Sequence, residues 1–272
     1  MKKLSLAITI ALGIINTMYA AGHIKYSGDP LPDKSREMIN QMVDYMFDFY
    51  NRIGINEVFT VELKTFKDKG EGYKYMRGVY PNNPDYQVNI KDKTYGGRIS
   101  GVYIPTKKQA VILGMEKGVA EALPVIYHEL SHHFTRTVFE KRNPPIWLNE
   151  GLAEYFESLK NTKKGFKAVF PAYIKGKIKT MHMLGELDLE NFFNLSQSEF
   201  YKIHKEEGQY YYGLSHAIVA TMMQNMDAGE MKSLIVKIKN RDTSQKISGF
   251  VNELYPGGIE ALEEDLISFV NE

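Results

Sequence analysis

The spacing of apolar side chains changes along the chain, from helical to strand-like and back. Met38, Ile39, Met42, Val43, Met46, Phe47 and Tyr50 recur at three and four, which predicts a helix over 32–52 with one core-facing side. Between Glu57 and Lys67 the period drops to two. Val58, Thr60, Glu62 and Lys64 alternate with Phe59, Val61, Leu63 and Thr65, the mark of a strand. The polar, glycine-bearing stretch 68–84 reads as a loop with a short helix near Tyr73, and 86–90 as a further strand. Residues 96–104 and 109–113 read as a hairpin turning at Pro105-Thr106-Lys107-Lys108. A helix then starts in 122–126, with Pro124 in its first turn, and Phe134 and Val138 extend its apolar side.

After a proline-bearing turn over 141–145, a second helix runs through 147–156. Beyond Lys160 the pattern is mainly helical. Residues 163–179 read as a basic amphipathic helix carrying Phe166, Val169, Phe170 and Tyr173, and 184–200 as irregular chain. A helix spans 210–226, and two short helices flank Pro256-Gly257-Gly258 in 247–272. The expected fold is α+β: a mixed sheet and its following helix in 22–140, packed against a mainly helical part in 141–272.

Composition narrows the function. Met1-Lys2-Lys3, an uncharged apolar run from Leu4 to Ile15 and the small residues Ala20 and Ala21 predict an export signal over 1–21, too short for a spanning helix. The protein is therefore expected outside the cytoplasm, periplasmic or secreted, and off the membrane once the signal is cleaved, with an uncleaved N-terminal anchor as the alternative. The net charge is +1, and losing Lys2 and Lys3 makes it about −1, which gives no electrostatic case for nucleic acid. With no cysteine, disulfides and thiolate metal sites are excluded, so any metal must be held by histidine and carboxylate.

The candidate chemistry starts at Tyr127-His128-Glu129-Leu130-Ser131-His132, an H-E-x-x-H pattern. On a helix His128 and His132 project from one face and can share a metal ion at roughly 2.0–2.1 Å. Glu129 lies about 100° around the helix, placed to address a water rather than the metal. Two histidines and a glutamate on so apolar a helix point to chemistry. The next segment, Trp147-Leu148-Asn149-Glu150-Gly151-Leu152-Ala153-Glu154, folds back so that Glu150 can complete a His-His-Glu set and leave one zinc position open. Glu154 and Asn149 are placed to hydrogen-bond the outer nitrogen of a ligand histidine, although a solvated helix charge is an alternative for Glu154.

These two segments resemble the gluzincin metallopeptidases, the group that includes thermolysin and the aminopeptidase N family. The wider stretch is similar to bacterial secreted peptidase MA-like proteins. The resemblance implies a gluzincin-like fold and one Zn2+ per chain on His128, His132 and Glu150, with Glu129 as general base. It also implies supporting roles for Asn149 and Glu154, although thermolysin-like enzymes have Asp at the position of Glu154. A tyrosine early in a later helix faces the reaction in such families. Alignment on 215–219 favours Tyr212, with Tyr211 as competitor and simple packing as the alternative for both. The last strand before the motif helix is expected to wall the cleft. Gly96, Gly97 and Gly101 there either admit a ligand backbone or simply serve the hairpin.

His216 could line the cleft, and His133, His182 and His204 are assigned no role. The Gly-x-Met-Glu-Asn stretch of aminopeptidase N relatives is absent from the sequence. The expected activity is zinc-dependent hydrolysis of peptide bonds in a peptide or protein substrate. The alternatives are an inactive binding module on the same scaffold and a zinc amidase acting on a cell-wall or other non-peptide amide.

Overall fold

The strand predicted over 57–67 forms as β2 (Thr60–Thr65), pairing in parallel with β1 (His23–Gly28). The computed structural model describes residues 23–272 other than 58, 90–93, 96–98, 141, 163–164 and 208–209. The segment 1–21, where an export signal is expected, and Gly96 and Gly97 lie outside the described residues. Across the sheet the order is β1-β2-β6-β5, where β5 is Gly101–Ile104 and β6 is Gln109–Ile112. Strands β2 and β6 are parallel, whereas β5 and β6 are antiparallel and form the expected hairpin, so the sheet is mixed and the fold is α+β. The strand predicted over 86–90 is shorter: β3 (Val88–Asn89) pairs only with β4 (Thr94–Tyr95).

The alternation in β2 sends Val61 and Leu63 into the core beneath two helices, α1 (Asp33–Arg52) and α3 (Val119–Phe139). Helix α1 follows its predicted limits, with Ile39, Met42, Val43, Met46 and Tyr50 buried. Opposite, Ile104, Val111 and Leu113 pack against α2 (Lys69–Val79). The loop expected over 68–84 is therefore mostly this helix. Asp68 caps it by accepting from the Glu71 N–H, and Tyr73 and Met76 are buried three residues apart. The glycines obscured the pattern, but the cap and the apolar pair determine the element. Helix α3 also begins earlier than expected, so Pro124 lies inside it rather than in its first turn.

Helix α4 (Ile146–Glu157) is where the two halves meet. Every residue from Ile146 to Ala153 is buried, because α3 covers one side and α8 (Tyr210–Asn225) the other. Trp147 is wholly buried, its ring 4.9 Å from that of Phe193. Truncating such an aromatic to alanine typically costs about 3–5 kcal/mol. At Gly151 an added Cβ would lie 2.5 Å from the Ser215 carbonyl oxygen and 2.7 Å from Val219 Cγ2, so the α4 backbone rests directly on α8. The apolar cluster runs unbroken from Leu31 to Val270.

The remaining chain differs from expectation in two places. Instead of one helix over 163–179, β7 (Leu159–Thr162) and β8 (Gly165–Ala168) form an antiparallel hairpin, followed by α5 (Ala172–Leu184). Pro171 stands at the N-cap of α5 and separates the two, while Phe166 packs on Tyr45 of α1. The stretch 184–200 is not irregular. It contains α6 (Leu189–Asn194), capped by Asp188, and the start of α7 (Gln197–Glu207). Helices α9 (Ala228–Asn240), α10 (Ile247–Leu254) and α11 (Gly258–Asn271) complete the chain, the last two forming the expected closing pair. Among the described residues no helix is long and apolar enough to cross a membrane.

Candidate metal centre

His128, His132 and Glu150 converge. Glu150 Oε2 lies 3.6 Å from His128 Nε2 and 3.7 Å from His132 Nε2, and the three donor atoms all lie within 4.8 Å of one another. The imidazole rings are 4.8 Å apart and nearly perpendicular, at 87°. Helix α3 supplies the pair through its four-residue spacing, and α4 delivers the carboxylate from below. Tetrahedral zinc with bonds near 2.0–2.1 Å needs donors about 3.3–3.5 Å apart, so the two distances from Glu150 are only slightly wider than the ion requires. Two imidazoles and a carboxylate are also a donor set that zinc accepts.

The surroundings differentiate the three. Burial alone would push His128 down, but the carboxylates of Glu150 and Glu157 hold it well above the ordinary histidine value. Burial pushes His132 down to about 4 despite Glu150. Glu150 is itself buried, which would raise it, yet the two imidazoles hold it below the usual carboxylate value.

Glu129 sits beside the triad, 7% exposed. Burial raises its carboxyl to about 7, and the backbone N–H of Tyr103 on β5 acts in the opposite direction. A buried carboxylate near neutrality is well placed to accept and return a proton. Gly101 makes room for it: a Cβ there would meet Glu129 Cγ at 2.8 Å and Oε1 at 2.9 Å. Gly101 thus admits the glutamate. The wall of the cleft is β5, the edge strand, rather than β6, the last strand before α3 and interior to the sheet.

The outer shell departs from the sequence reading. His128 Nδ1 is hydrogen-bonded to Glu157 Oε2 at 2.8 Å, whereas Glu154 Oε1 stands 3.8 Å away, beyond a hydrogen bond. Glu157 escaped the sequence reading although its spacing of seven from Glu150 puts it on the same helix face. Burial raises Glu154 to about 7. Asn149 uses its amide nitrogen on Glu150 Oε1, at 3.3 Å. Asn149 also faces His132 and acts against the burial that lowers it, although its oxygen and His132 Nδ1 stand outside strict hydrogen-bond geometry.

Two tyrosines close the cleft. Tyr212 lines it, while Tyr211 packs its ring 5.1 Å from Phe192 and 5.5 Å from Phe200. Burial, with Glu150 and Tyr201 nearby, pushes the Tyr212 phenol far up, so it remains a donor. Tyr201 on α7 also faces the site, its hydroxyl 3.4 Å from Glu150 Oε1. It was missed because α7 was not foreseen. His133 is held against Tyr103 OH at 2.9 Å, away from the triad. His216 is buried under Phe170 and lines a neighbouring hollow with Glu154 and Glu157. The cleft, about 370 Å³, opens over His128, Glu129, His132, Glu150 and Tyr212.

No family model, curated protein or solved structure matches this chain.

Proposed function

We propose that this protein is a zinc-dependent hydrolase of the gluzincin kind, acting on peptide bonds outside the cytoplasm. The observation that carries the reading is the convergence of His128, His132 and Glu150 beside a buried Glu129 in an open cleft. His128, His132 and Glu150 would hold one zinc per chain. When bound, that zinc supplies Lewis-acid polarisation of a carbonyl and acidification of a water. Glu129 takes the proton from the attacking water and passes it to the leaving amine, a role that fits a carboxyl poised near 7. Tyr212 donates its phenolic proton in a hydrogen bond to the oxyanion that develops on the substrate carbonyl. Glu157 fixes the orientation of His128 through Nδ1. The basic, apolar and small-residue order of the first 21 residues supports the extracytoplasmic location.

The test is cleavage-product profiling of a peptide library by mass spectrometry, with and without a zinc chelator, for wild type and Glu129→Gln. Wild type is expected to yield chelator-sensitive cleavage. Glu129→Gln is expected to keep its zinc and lose roughly a hundredfold or more in turnover. Unchanged turnover in Glu129→Gln would remove the motif from the chemistry.

A further inference from the structure

Arg136 extends the catalytic stripe of α3. His128, His132 and Arg136 are spaced by four, so they share one helix face, and Arg136 lines the same cleft. It is half-buried, and one Nη atom donates to Asn143 Oδ1 in the turn before α4. Among the described residues no carboxylate forms an ion pair with it, although surface lysines such as Lys237 and Lys239 do find such partners. Its charge is felt at Tyr103, on the opposite wall. A guanidinium held at one end by an amide, turned into a cleft and lacking a counter-ion is incompletely compensated. Its planar fork matches a carboxylate in a bidentate, charge-assisted pair.

We propose that Arg136 is a specificity-determining residue that binds a carboxylate of the substrate, a proposal that rests on reading the cleft as a peptide site. Helix rise places Arg136 about 6 Å beyond His132 and about 12 Å beyond His128. At roughly 3.3 Å per extended residue, the recognised carboxylate lies about two to four residues from the bond that is cut. It belongs either to an acidic side chain or to the C-terminus of the peptide. The first source gives an endopeptidase with acidic preference, the second a carboxypeptidase-like enzyme.

The test measures binding and cleavage separately. N-acetylated hexapeptides are prepared as free acid and C-terminal amide, and with Glu or Gln scanned through the interior. Dissociation constants are measured on zinc-loaded Glu129→Gln protein, with and without Arg136→Gln, and cleavage on the wild type. A charge-assisted pair predicts that one carboxylate peptide binds about ten- to a hundredfold tighter than its neutral isostere. Arg136→Gln is expected to bring that ratio near one, and Arg136→Lys to leave an intermediate ratio because the charge survives without the fork. Zinc content serves as the folding control.

A ratio confined to the acid and amide pair assigns the C-terminal carboxylate, and one confined to a Glu and Gln pair assigns the side chain. A ratio that survives Arg136→Gln, or the absence of any ratio or peptide binding, overturns the proposal. Peptides cleaved by the wild type without charge preference would leave the hydrolase reading standing and refute this one. An Arg136-dependent ratio in a protein that cleaves no peptide would do the reverse.

Discussion

His128 and His132 are the same residue on the same helix, and they reach the same carboxylate oxygen at 3.6 and 3.7 Å. Their proton affinities nevertheless diverge, His128 held well above the ordinary value and His132 pushed to about 4. The neighbours make the difference. His128 is supported by Glu150 and, at Nδ1, by Glu157 with Glu154 behind it, whereas His132 has Asn149 in place of a second carboxylate and stands four residues before Arg136 on the same helix. Tyr211 and Tyr212 repeat the lesson on α8. One residue apart, both touch Phe200, but only Tyr212 also lines the open cleft, while Tyr211 turns to Phe192. Residue identity does not fix a role at either pair; the neighbours across the packing do.

The comparison breaks most severely at the ligands. His132→Ala should lose most of the roughly one zinc per chain, measured by metal analysis of the purified protein. Full occupancy in that variant would show that His132 is no ligand at all. Next in size is the tyrosine pair. Tyr212→Phe should lower turnover by about 10²–10³, the range for losing one oxyanion donor, and Tyr211→Phe should leave it near normal. The reverse result would exchange their roles.

The carboxylates behind His128 come third. Glu157→Gln should weaken zinc binding about 10- to 100-fold in a competition titration, and Glu154→Gln by less, because only Glu157 makes the hydrogen bond. Equal effects would mean that field rather than contact orients the ring. The smallest effect separates the histidines by acid stability of the metal-free protein. His132 titrates lower folded, at about 4, than unfolded, at about 6.5, so the unfolded chain binds more protons between those values. Its contribution is lost as pH falls through that window, by at most about 3 kcal/mol. His128 has the opposite sign: its raised value stabilises fully below about 6.5, and that stabilisation is lost as pH rises through the folded value. Urea midpoints at pH 7 and 4.5 should therefore fall less in His132→Gln than in the wild type, and more in His128→Gln. Parallel shifts in both variants would remove the distinction.

What the sequence disclosed follows from how local each signal is. The four-residue spacing of His128 and His132 on α3, the alternation of β2 and the turn at 105–108 are set by neighbours within a few residues, and all three could be read directly. Glu157 was legible too, seven residues from Glu150, but the pattern was followed only as far as Glu154. Tyr201 was not, because its approach to Glu150 crosses 51 residues and depends on α7, whose start is polar and weakly periodic. The hairpin β7–β8 was hidden for a related reason. Phe166, Val169, Phe170 and Tyr173 fit a helical period, and only Pro171 and the partner surface on Tyr45 favour strands. Gly101 could be flagged as a close-approach site, but its visitor, Glu129, is named only by the fold.

The bare contact at Gly151 has a consequence for how accurately the site is assembled. Glu150 and Tyr212 come from segments about sixty residues apart in sequence, and their separation is set by how α4 and α8 pack. Had α4 and α8 met through long side chains, each rotamer hop would have altered the gap. Here main chain rests on main chain, the Ser215 carbonyl against Gly151. The two helices behave as a joint ground to fit without a gasket. Beyond the short, stiff Val219 side chain, ordinary side-chain thermal motion has little there to loosen, and even a single methyl group inserted at that point would act as a shim, lifting the phenol of Tyr212 away from the carboxylate it faces.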